Sequence, residues 1–247
     1  MKQELQKAML IGMYLSKFDK QGLLILGFKS FTEAYNILGL SLDVKPLSIR
    51  NYRDEFDPVF PNKRKGWHKR PMHQNRKDML LKYNNLDILE FTKLIKKIIY
   101  KNPDIDLLEE SILQIGDEEN QFAKRLVTGQ AAEQYFKDTF QSIELFKECS
   151  IQDTTKLGCG FDFKLNFDNK FYAIEVKGLS LNRGSIMLTQ KEYQVANSLK
   201  DKYFIFVVKN FIKEPMHNIF RNPTVKNELK FQKQEQIITQ VNWNASI

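Results

Sequence analysis

GFDFKLNFDNKFYAIEVK, residues 160–177, carries the alternating residue pattern from which the fold is predicted. Apolar and polar side chains alternate along residues 160–167 and again along residues 171–177, which is typical of strands with one buried face. Asp168 and Asn169 lie between the two runs, and both residue types tolerate the positive φ angles of a two-residue turn. The stretch therefore predicts a β-hairpin.

The predicted turn also fixes which residues of the two strands face each other. It forms three apolar pairs: Phe161 with Val176, Phe163 with Ile174, and Leu165 with Tyr172. A shift of one residue would destroy this match. The same register places Asp162 directly opposite Glu175, with Cβ atoms about 5 Å apart.

Two carboxylates at this distance repel each other unless a cation lies between them. Mg²⁺ prefers hard oxygen ligands and takes one or two carboxylates together with water and phosphate oxygens. Lys177 lies two residues after Glu175 and so points to the same side, where it can contact a phosphate or orient water. Asp162, Glu175 and Lys177 are therefore a candidate divalent-metal site for phosphodiester cleavage. The alternative is an exposed hairpin whose charges are only solvated.

The spacing of these residues resembles the motif of the PD-(D/E)xK nucleases: Asp162, twelve intervening residues, then Glu175, Val176 and Lys177. The wider pattern consists of GFDF, FYAIEVKG, IMLTQKEYQVA and YFIFVVKN within residues 121–210. This pattern is similar to the branch of the superfamily that includes the NO VEIN C-terminal domain and several type II restriction endonucleases.

The resemblance implies a restriction-endonuclease-like αβββαβ core with a mixed sheet. It also implies one or two Mg²⁺ ions, held by Asp162, Glu175 and the carbonyl group of Val176. A helix of such a core brings a glutamate toward the metal, and Glu133 matches that position. The alternative for Glu133 is a surface carboxylate paired with Lys137 one helical turn away.

The elements expected around the hairpin follow the order of that core. They are a helix at 119–140, a strand at 145–151, the hairpin, a helix that begins at Thr189, a strand at 203–208, and one or two late strands within 231–243. Thr189 and Glu192 have the spacing of a capping box, which is the preferred role for Glu192. The strand at 203–208 is apolar throughout, which predicts a central strand buried on both faces.

The sequence pattern of the first hundred residues predicts helices. The expected helices are 2–18, 31–41, one that follows an N-cap at Ser48 and stops at Pro58, and 86–100. The second and third are a loose match to a helix-turn-helix. The chain is thus expected to be mixed α/β (α+β), with a helical, helix-turn-helix-like DNA-recognition domain at 1–105 and a nuclease domain at 106–247.

The most basic part of the chain runs from residue 45 to residue 77 and is called the basic segment below. Its ten lysines and arginines and three carboxylates give a net charge of +7, nearly the whole +8 excess of the chain. Such clustering is typical of a surface that binds phosphates. The candidate DNA-binding residues are Lys45, Arg50, Asn51, Arg53, Lys63, Arg64, Lys65, Trp67, His68, Lys69 and Arg70, with Gln190 and Lys191 near the candidate active site.

Within the basic segment, Arg50, Asn51 and Arg53 are the best candidates for reading bases, because Arg suits guanine and Asn suits adenine. Trp67 and His68 could stack on a base or a sugar. The alternative is that Asp54 and Asp57 hold these arginines, and that Trp67 anchors a solvated loop to the core.

The remaining features favour a DNA-cleaving protein of the cytoplasm. The hydrophobic content of 42% is enough for a real core, and no apolar run approaches the roughly 18 residues of a membrane span. The favoured function is a Mg²⁺-dependent type II restriction endonuclease acting on double-stranded DNA. It would work beside a cognate methyltransferase without stable contact, and as a homodimer on DNA if its site is palindromic. The alternatives are a repair, mobile-element or defence nuclease, and an inactive DNA-binding regulator.

Overall fold

Helices precede a five-stranded sheet in the computed structural model, which describes residues 2–67, 71–99, 116–225 and 228–234. Its helices are α1 (Gln3–Ile25, with a break at Asp19), α2 (Phe31–Ser41), α3 (Pro46–Phe56), α4 (Gln74–Tyr83), α5 (Ile88–Ile99), α6 (Gly116–Thr139) and α7 (Gln190–Leu199). Its strands are β1 (Ser150–Asp153), β2 (Phe163–Phe167), β3 (Lys170–Gly178), β4 (Tyr203–Lys209) and β5 (Met216–Arg221). The mixed α/β class and the order helix, three strands, helix, strand are therefore confirmed.

The five strands lie in the sheet in the order in which they occur along the chain. All neighbours are antiparallel except β3 and β4, which are parallel because α7 carries the chain back to the starting edge of the sheet. All residues of β4 except Lys209 are buried, which confirms the prediction of a central strand covered on both faces.

The predicted hairpin register is confirmed over the length of β2. Phe163 faces Ile174, and the ladder continues without a shift to the pair of Phe167 and Lys170. Asp168 and Asn169 form the turn with φ angles of 42° and 60°. The alternation of apolar residues and the turn type therefore specify this part of the sheet together.

The register does not continue to Asp162. The N–H of Asp162 donates to the carbonyl oxygen of Ile174 at 2.9 Å, although Ile174 already faces Phe163. Two residues of one strand then face one residue of the other, which is a β-bulge. The extra residue reverses the alternation, so Phe161 packs on the sheet face that carries Ala173, and not opposite Val176. The predicted pairing of Phe161 with Val176 and the direct opposition of Asp162 and Glu175 are thus wrong.

Three other predicted boundaries are corrected. The first strand is Ser150–Asp153 and not 145–151, because Glu144–Phe146 forms a 3₁₀ turn that buries Phe146 against the sheet. The late strand is β5, whereas residues 231–234 form no strand and residues 235–243 lie outside the described part. Helix α3 begins at Pro46, which suits the first position of a helix, and Ser48 lies inside it.

The two faces of the sheet are covered by different helices. Helix α6 buries Val127, Ala132 and Phe136 in the large core that includes Phe163 and Phe206, and helix α7 packs on the other face around Ala196. Helix α6 approaches the end of β3 closely. A Cβ atom at Gly178 would lie 2.7 Å from the carbonyl oxygen of Thr128, so a side chain there would push the helix off the sheet.

The N-terminal helices share the large core with the sheet. Buried residues of α1, α2, α3 and α5 belong to the same hydrophobic cluster as those of α6 and β4. Asn36 donates to the carbonyl oxygens of Phe211 and Lys213, and the ammonium of Lys124 pairs with Glu33 at 2.6 Å. The predicted domain boundary at 105/106 lies outside the described residues, and the division into two domains stays a prediction.

Among the described residues, none of the helices combines the length and the apolar character that a membrane span requires.

Candidate active site

Lys177 pairs with Glu175 and Glu192 where the end of β3 meets α6 and α7, and Asp162 and Glu133 lie within electrostatic range of its ammonium. Glu175 and Lys177 belong to β3, Asp162 to the bulge before β2, Glu133 to α6 and Glu192 to the first turn of α7. The alternation along β3 explains part of this arrangement, because Ala173 packs on the α7 side and Glu175 and Lys177 follow it on that side. The sequence-predicted residues Asp162, Glu175, Lys177 and Glu133 are thus brought together.

Glu175 is a buried carboxylate with one unfilled oxygen. The residue is 3% exposed, and its Oε1 lies 2.6 Å from the Nζ of Lys177. Its Oε2 is buried and has no hydrogen-bond partner among the residues that the structure describes. A buried polar atom without a partner is costly, so such atoms in native proteins usually mark a missing water, ion or ligand.

Asp162 is held by the backbone of the neighbouring strand. The N–H of Val176 donates to Oδ2 of Asp162 at 2.8 Å. In an extended strand the N–H and C=O of one residue point to the same side, so the Val176 carbonyl also points toward Asp162. The orientation agrees with the predicted ligand role of that carbonyl.

The turn that carries Asp162 is fixed by two elements on the α7 side of the sheet. The hydroxyl of Tyr203 donates to the carbonyl of Gly160 at 3.0 Å. Gly160 has a φ of 91°, and a Cβ atom there would lie 2.8 Å from Cγ2 of Val195 on α7. Only glycine fits this position without strain. Tyr203 and Val195 therefore position the aspartate through its preceding residues.

Glu133 lies next to this carboxylate group without a hydrogen-bonding or ion-pairing partner among the described residues. The predicted alternative was a pair with Lys137, but the ammonium of Lys137 contacts Asp153 at 2.9 Å. Burial is the main cause that raises the pKa of Glu133, and the charge of Asp162 is the second, so the two carboxyl groups lie within electrostatic range of each other.

The pKa values of these three carboxyl groups are all raised. Burial raises the pKa of Glu175 to about 8, and the charge of Asp162 adds to the shift while Lys177 opposes it. Burial first, and the charge of Asp162 second, raise the pKa of Glu133 to about 7. Burial raises the pKa of Asp162 to about 6 against the opposing effect of the Val176 N–H. Burial thus makes the ionised form of all three carboxyl groups costly, and a bound cation would offset that cost.

The donor set fits Mg²⁺ and does not fit a structural zinc site. In the part of the chain that the structure describes, no group of three or more His, Cys, Asp or Glu side chains is arranged so that it could hold a metal ion. The site instead offers Asp162, Glu175 with its unfilled Oε2, and the Val176 carbonyl. Mg²⁺ needs only one or two carboxylates from a protein, because water and phosphate oxygens complete its octahedron. Structural zinc requires four nitrogen or sulfur ligands.

Glu192 is the residue of this site that sequence reasoning missed. The predicted capping box is confirmed, with Thr189 accepting from the N–H of Glu192 and Glu192 accepting from the N–H of Thr189. In addition, Nζ of Lys177 donates to Oε2 of Glu192 at 2.8 Å. The spacing of Thr189 and Glu192 reveals the cap, but no sequence signal reveals that its carboxylate also reaches β3.

Two partly buried arginines of the basic segment are held by aspartates of the protein. Arg64 donates to both oxygens of the buried Asp57 at 2.8 Å and also contacts Asp19. Arg53 pairs with Asp54 at 2.7 Å and lies 3.8 Å from Asp57. The predicted alternative, in which Asp54 and Asp57 hold Arg50 and Arg53, thus describes Arg53. The ion pairs of Arg64 were not predicted, and the assignment of both arginines to DNA stays a prediction.

The other candidate DNA-binding residues are either exposed on the surface or lie outside the described residues. Those exposed are Lys45, Arg50, Asn51, Lys63, Lys65, Trp67, Gln190 and Lys191. Arg50 lies 3.8 Å from Asp54, and Trp67 is 46% exposed while its N–H donates to the carbonyl of Asp54. His68, Lys69 and Arg70 lie outside the described residues.

Comparison with known families gives one match. The family model described as Protein NO VEIN, C-terminal, matches residues 132–220, a range that contains Glu133, the hairpin and α7. This part of the chain is therefore similar to a domain that is linked to the PD-(D/E)xK nuclease superfamily. The match covers less than half of the chain and leaves α1–α5 outside it. No curated protein and no solved structure matched the chain.

Proposed function

We propose that this protein is a Mg²⁺-dependent endonuclease that hydrolyses phosphodiester bonds of double-stranded DNA. The observation that carries the proposal is the unfilled, buried Oε2 of Glu175 beside Asp162 and Lys177. The similarity of residues 132–220 to a nuclease-linked domain supports the same chemistry.

Asp162, Glu175 and the carbonyl of Val176 would hold one or two Mg²⁺ ions. When bound there, Mg²⁺ supplies charge stabilisation at the scissile phosphate and makes water a stronger nucleophile at neutral pH. The Val176 N–H holds the Asp162 carboxylate in place, and the buried walls of the site strengthen each electrostatic contact.

Lys177 and Glu133 have supporting roles in this proposal. The ammonium of Lys177 lies at the carboxylate pair, where it can bind a phosphate oxygen or orient the attacking water. Glu133 has a pKa of about 7, which suits a group that accepts a proton from water near neutral pH.

The finer assignment is a type II restriction endonuclease. The exposed cations of the basic segment favour a polyanionic partner, and the N-terminal helices would present them to the duplex. Arg50 and Asn51 are exposed on α3 and are the proposed base-reading residues. Acting on a palindromic site, the protein would work as a homodimer, with host DNA protected by a cognate methyltransferase.

Cleavage of plasmid DNA tests the proposal. We expect the wild-type protein to cut in Mg²⁺, EDTA to stop the reaction, and Asp162→Ala to abolish it. Asp201→Ala is the matched control, because the side chain of Asp201 is 62% exposed and lies in the 3₁₀ turn before β4. Removal of a metal-bound carboxylate costs several kcal/mol of transition-state stabilisation, or at least a hundredfold in rate at about 1.4 kcal/mol per tenfold.

The products distinguish the finer assignment from its alternatives. Discrete fragments whose mapped ends share one sequence support a restriction enzyme, whereas cutting that depends on DNA structure supports a repair or defence nuclease. Tight DNA binding with no cleavage in the presence of any divalent cation would identify an inactive regulator. Equal cutting by the wild type and Asp162→Ala would refute the assigned site.

A further inference from the structure

We propose that Glu192 is a positioning residue that fixes the ammonium group of Lys177 at the carboxylate pair of the active site. This inference rests on the proposed function and assigns to the first turn of α7 a role in the chemistry beyond capping the helix.

The geometry points to a fixed carboxylate. Oε2 of Glu192 accepts from the N–H of Thr189 at 3.1 Å and from Nζ of Lys177 at 2.8 Å. The N–H of Glu192 in turn donates to the hydroxyl of Thr189 at 3.2 Å. The carboxylate is thus held by its own helix terminus, and it presents one oxygen to β3. Its side chain is 16% exposed and that of Lys177 is 20% exposed, so water has little access to the pair.

The second partner of Lys177 explains why such a residue is needed. Nζ of Lys177 also lies 2.6 Å from Oε1 of Glu175, which is a proposed metal ligand. A divalent cation on Glu175 would weaken the attraction of that carboxylate for the ammonium. Lysine has a flexible four-carbon side chain, so without another anchor the ammonium would leave its position. Glu192 provides an anchor that does not share the proposed metal.

A rival explanation is that Glu192 serves only as the helix cap. The chain offers a variant that separates the two roles, because Thr189→Ala removes the reciprocal half of the capping box and leaves the carboxylate of Glu192 beside Lys177. If capping is the whole role, Thr189→Ala and Glu192→Ala have the same consequences.

The position of Lys177 is measured first, in metal-free protein at one fixed pH, with Glu175→Ala in every sample so that Glu175 no longer holds the ammonium. The two Cε protons of a lysine held in one conformation have different NMR shifts, whereas those of a mobile lysine have equal shifts. We expect the Lys177 signal, assigned by its loss in Lys177→Arg, to show two proton shifts in Glu175→Ala alone and when Thr189→Ala is added. We expect a single shift when Glu192→Ala is added. Two shifts in the variant with Glu192→Ala would overturn the inference, whatever the protein does to DNA.

The turnover number is measured next. Residues that orient a catalytic group from outside typically change activity by about 10–100-fold, and we expect a loss in this range for Glu192→Ala. Glu192→Gln keeps an oxygen acceptor for the ammonium and should recover part of the rate. Thr189→Ala should keep the wild-type turnover number with a lower urea midpoint.

The outcomes separate this inference from the proposed function. An equal loss of turnover in Thr189→Ala and Glu192→Ala reduces Glu192 to a cap and overturns the positioning role. A wild-type protein that does not cut DNA refutes the proposed function, while the lysine spectra still decide whether Glu192 fixes Lys177.

Discussion

Two buried carboxylates, Asp57 and Glu175, lie beside basic side chains and differ in whether both of their oxygens have hydrogen-bond or ion-pair partners. Asp57 is 2% exposed and Glu175 is 3% exposed. Asp57 accepts from the hydroxyl of Ser16 at 2.7 Å and from two nitrogens of Arg64 at 2.8 Å. Glu175 has Lys177 on one oxygen and, within the described ranges, no hydrogen-bond partner on the other.

The difference separates a structural carboxylate from a functional one. A buried charge is tolerated when it is paired and its lone pairs are filled, and Asp57 meets this condition inside the protein. Its contacts tie the loop with Arg64 to α1, and so shape the described part of the basic segment. Glu175 fails the condition, and burial raises its pKa to about 8. A cation bound to Glu175 would therefore stabilise the ionised carboxylate in the folded protein.

Removal of the Asp57 charge should have the largest effect on stability. In Asp57→Asn, Arg64 and Arg53 lose their shared buried partner, and breaking a buried pair in this way costs about 3–5 kcal/mol. Urea unfolding monitored by circular dichroism measures this loss. The matched control is Asp54→Asn, whose side chain is 30% exposed and whose ion pairs should be worth about 1 kcal/mol or less. Equal losses in the two variants would contradict the comparison.

Removal of the Glu175 charge, in contrast, should not destabilise the protein. Glu175→Gln keeps the size of the side chain and removes a carboxyl that the fold holds at a cost, so the urea midpoint should stay the same or rise. Cleavage of DNA should fall at least a hundredfold, because a ligand worth several kcal/mol of transition-state stabilisation is lost. A variant that is both less stable and fully active would show that Glu175 is a structural carboxylate like Asp57.

The pH dependence of stability tests the same contrast without DNA. The folded protein holds the proton on Glu175 up to a pKa of about 8, whereas the ordinary value is 4.5. A raised pKa of an acid contributes stability that is complete below the unfolded value and is lost as pH rises through the folded value. The pKa values of Glu133 and Asp162 are raised in the same direction.

We therefore expect the urea midpoint of the metal-free protein to fall as pH rises from about 4.5 to about 8. The fall should be smaller in Glu175→Gln, and saturating Mg²⁺ should reduce it in the wild type by stabilising the ionised carboxylates. Identical profiles for the wild type and Glu175→Gln would rule out Glu175 as the source of the pH dependence.

The sequence predicts the part of this site that depends on neighbours along the chain. The hairpin register follows from alternation and from the turn at Asp168 and Asn169, and the cap of α7 follows from the spacing of Thr189 and Glu192. These features need contacts only within one hairpin or one helical turn. They were therefore predictable from local patterns.

The parts that could not be predicted depend on contacts between distant elements. The bulge at Asp162 is built with Tyr203 and Val195, which meet Gly160 only after β4 and α7 have packed on the sheet. In the same way, Arg64 is distinguished from its exposed neighbours by Asp57, whose burial depends on Ser16 of α1, 41 residues earlier. Composition alone made all cations of the basic segment look equivalent.

Variants of the exposed lysines on either side of Arg64 test the difference between Arg64 and the exposed cations of the basic segment. They have the smallest expected effect on stability. Lys63 and Lys65 are exposed, so replacing both by alanine should change the free energy of unfolding by no more than about 0.5 kcal/mol each. If they contact phosphates, each loss should weaken DNA binding for all sequences and reduce the slope of log K against log salt concentration by about 1. Fluorescence anisotropy of a labelled duplex over a range of salt concentrations measures both the affinity and the slope.

Arg64→Ala is the informative partner variant, because it should destabilise the fold through Asp57 before it affects the salt slope. A reduced slope in Arg64→Ala with unchanged stability would mean that Arg64 exchanges Asp57 for DNA, and that the contrast between the filled and unfilled carboxylates does not survive binding.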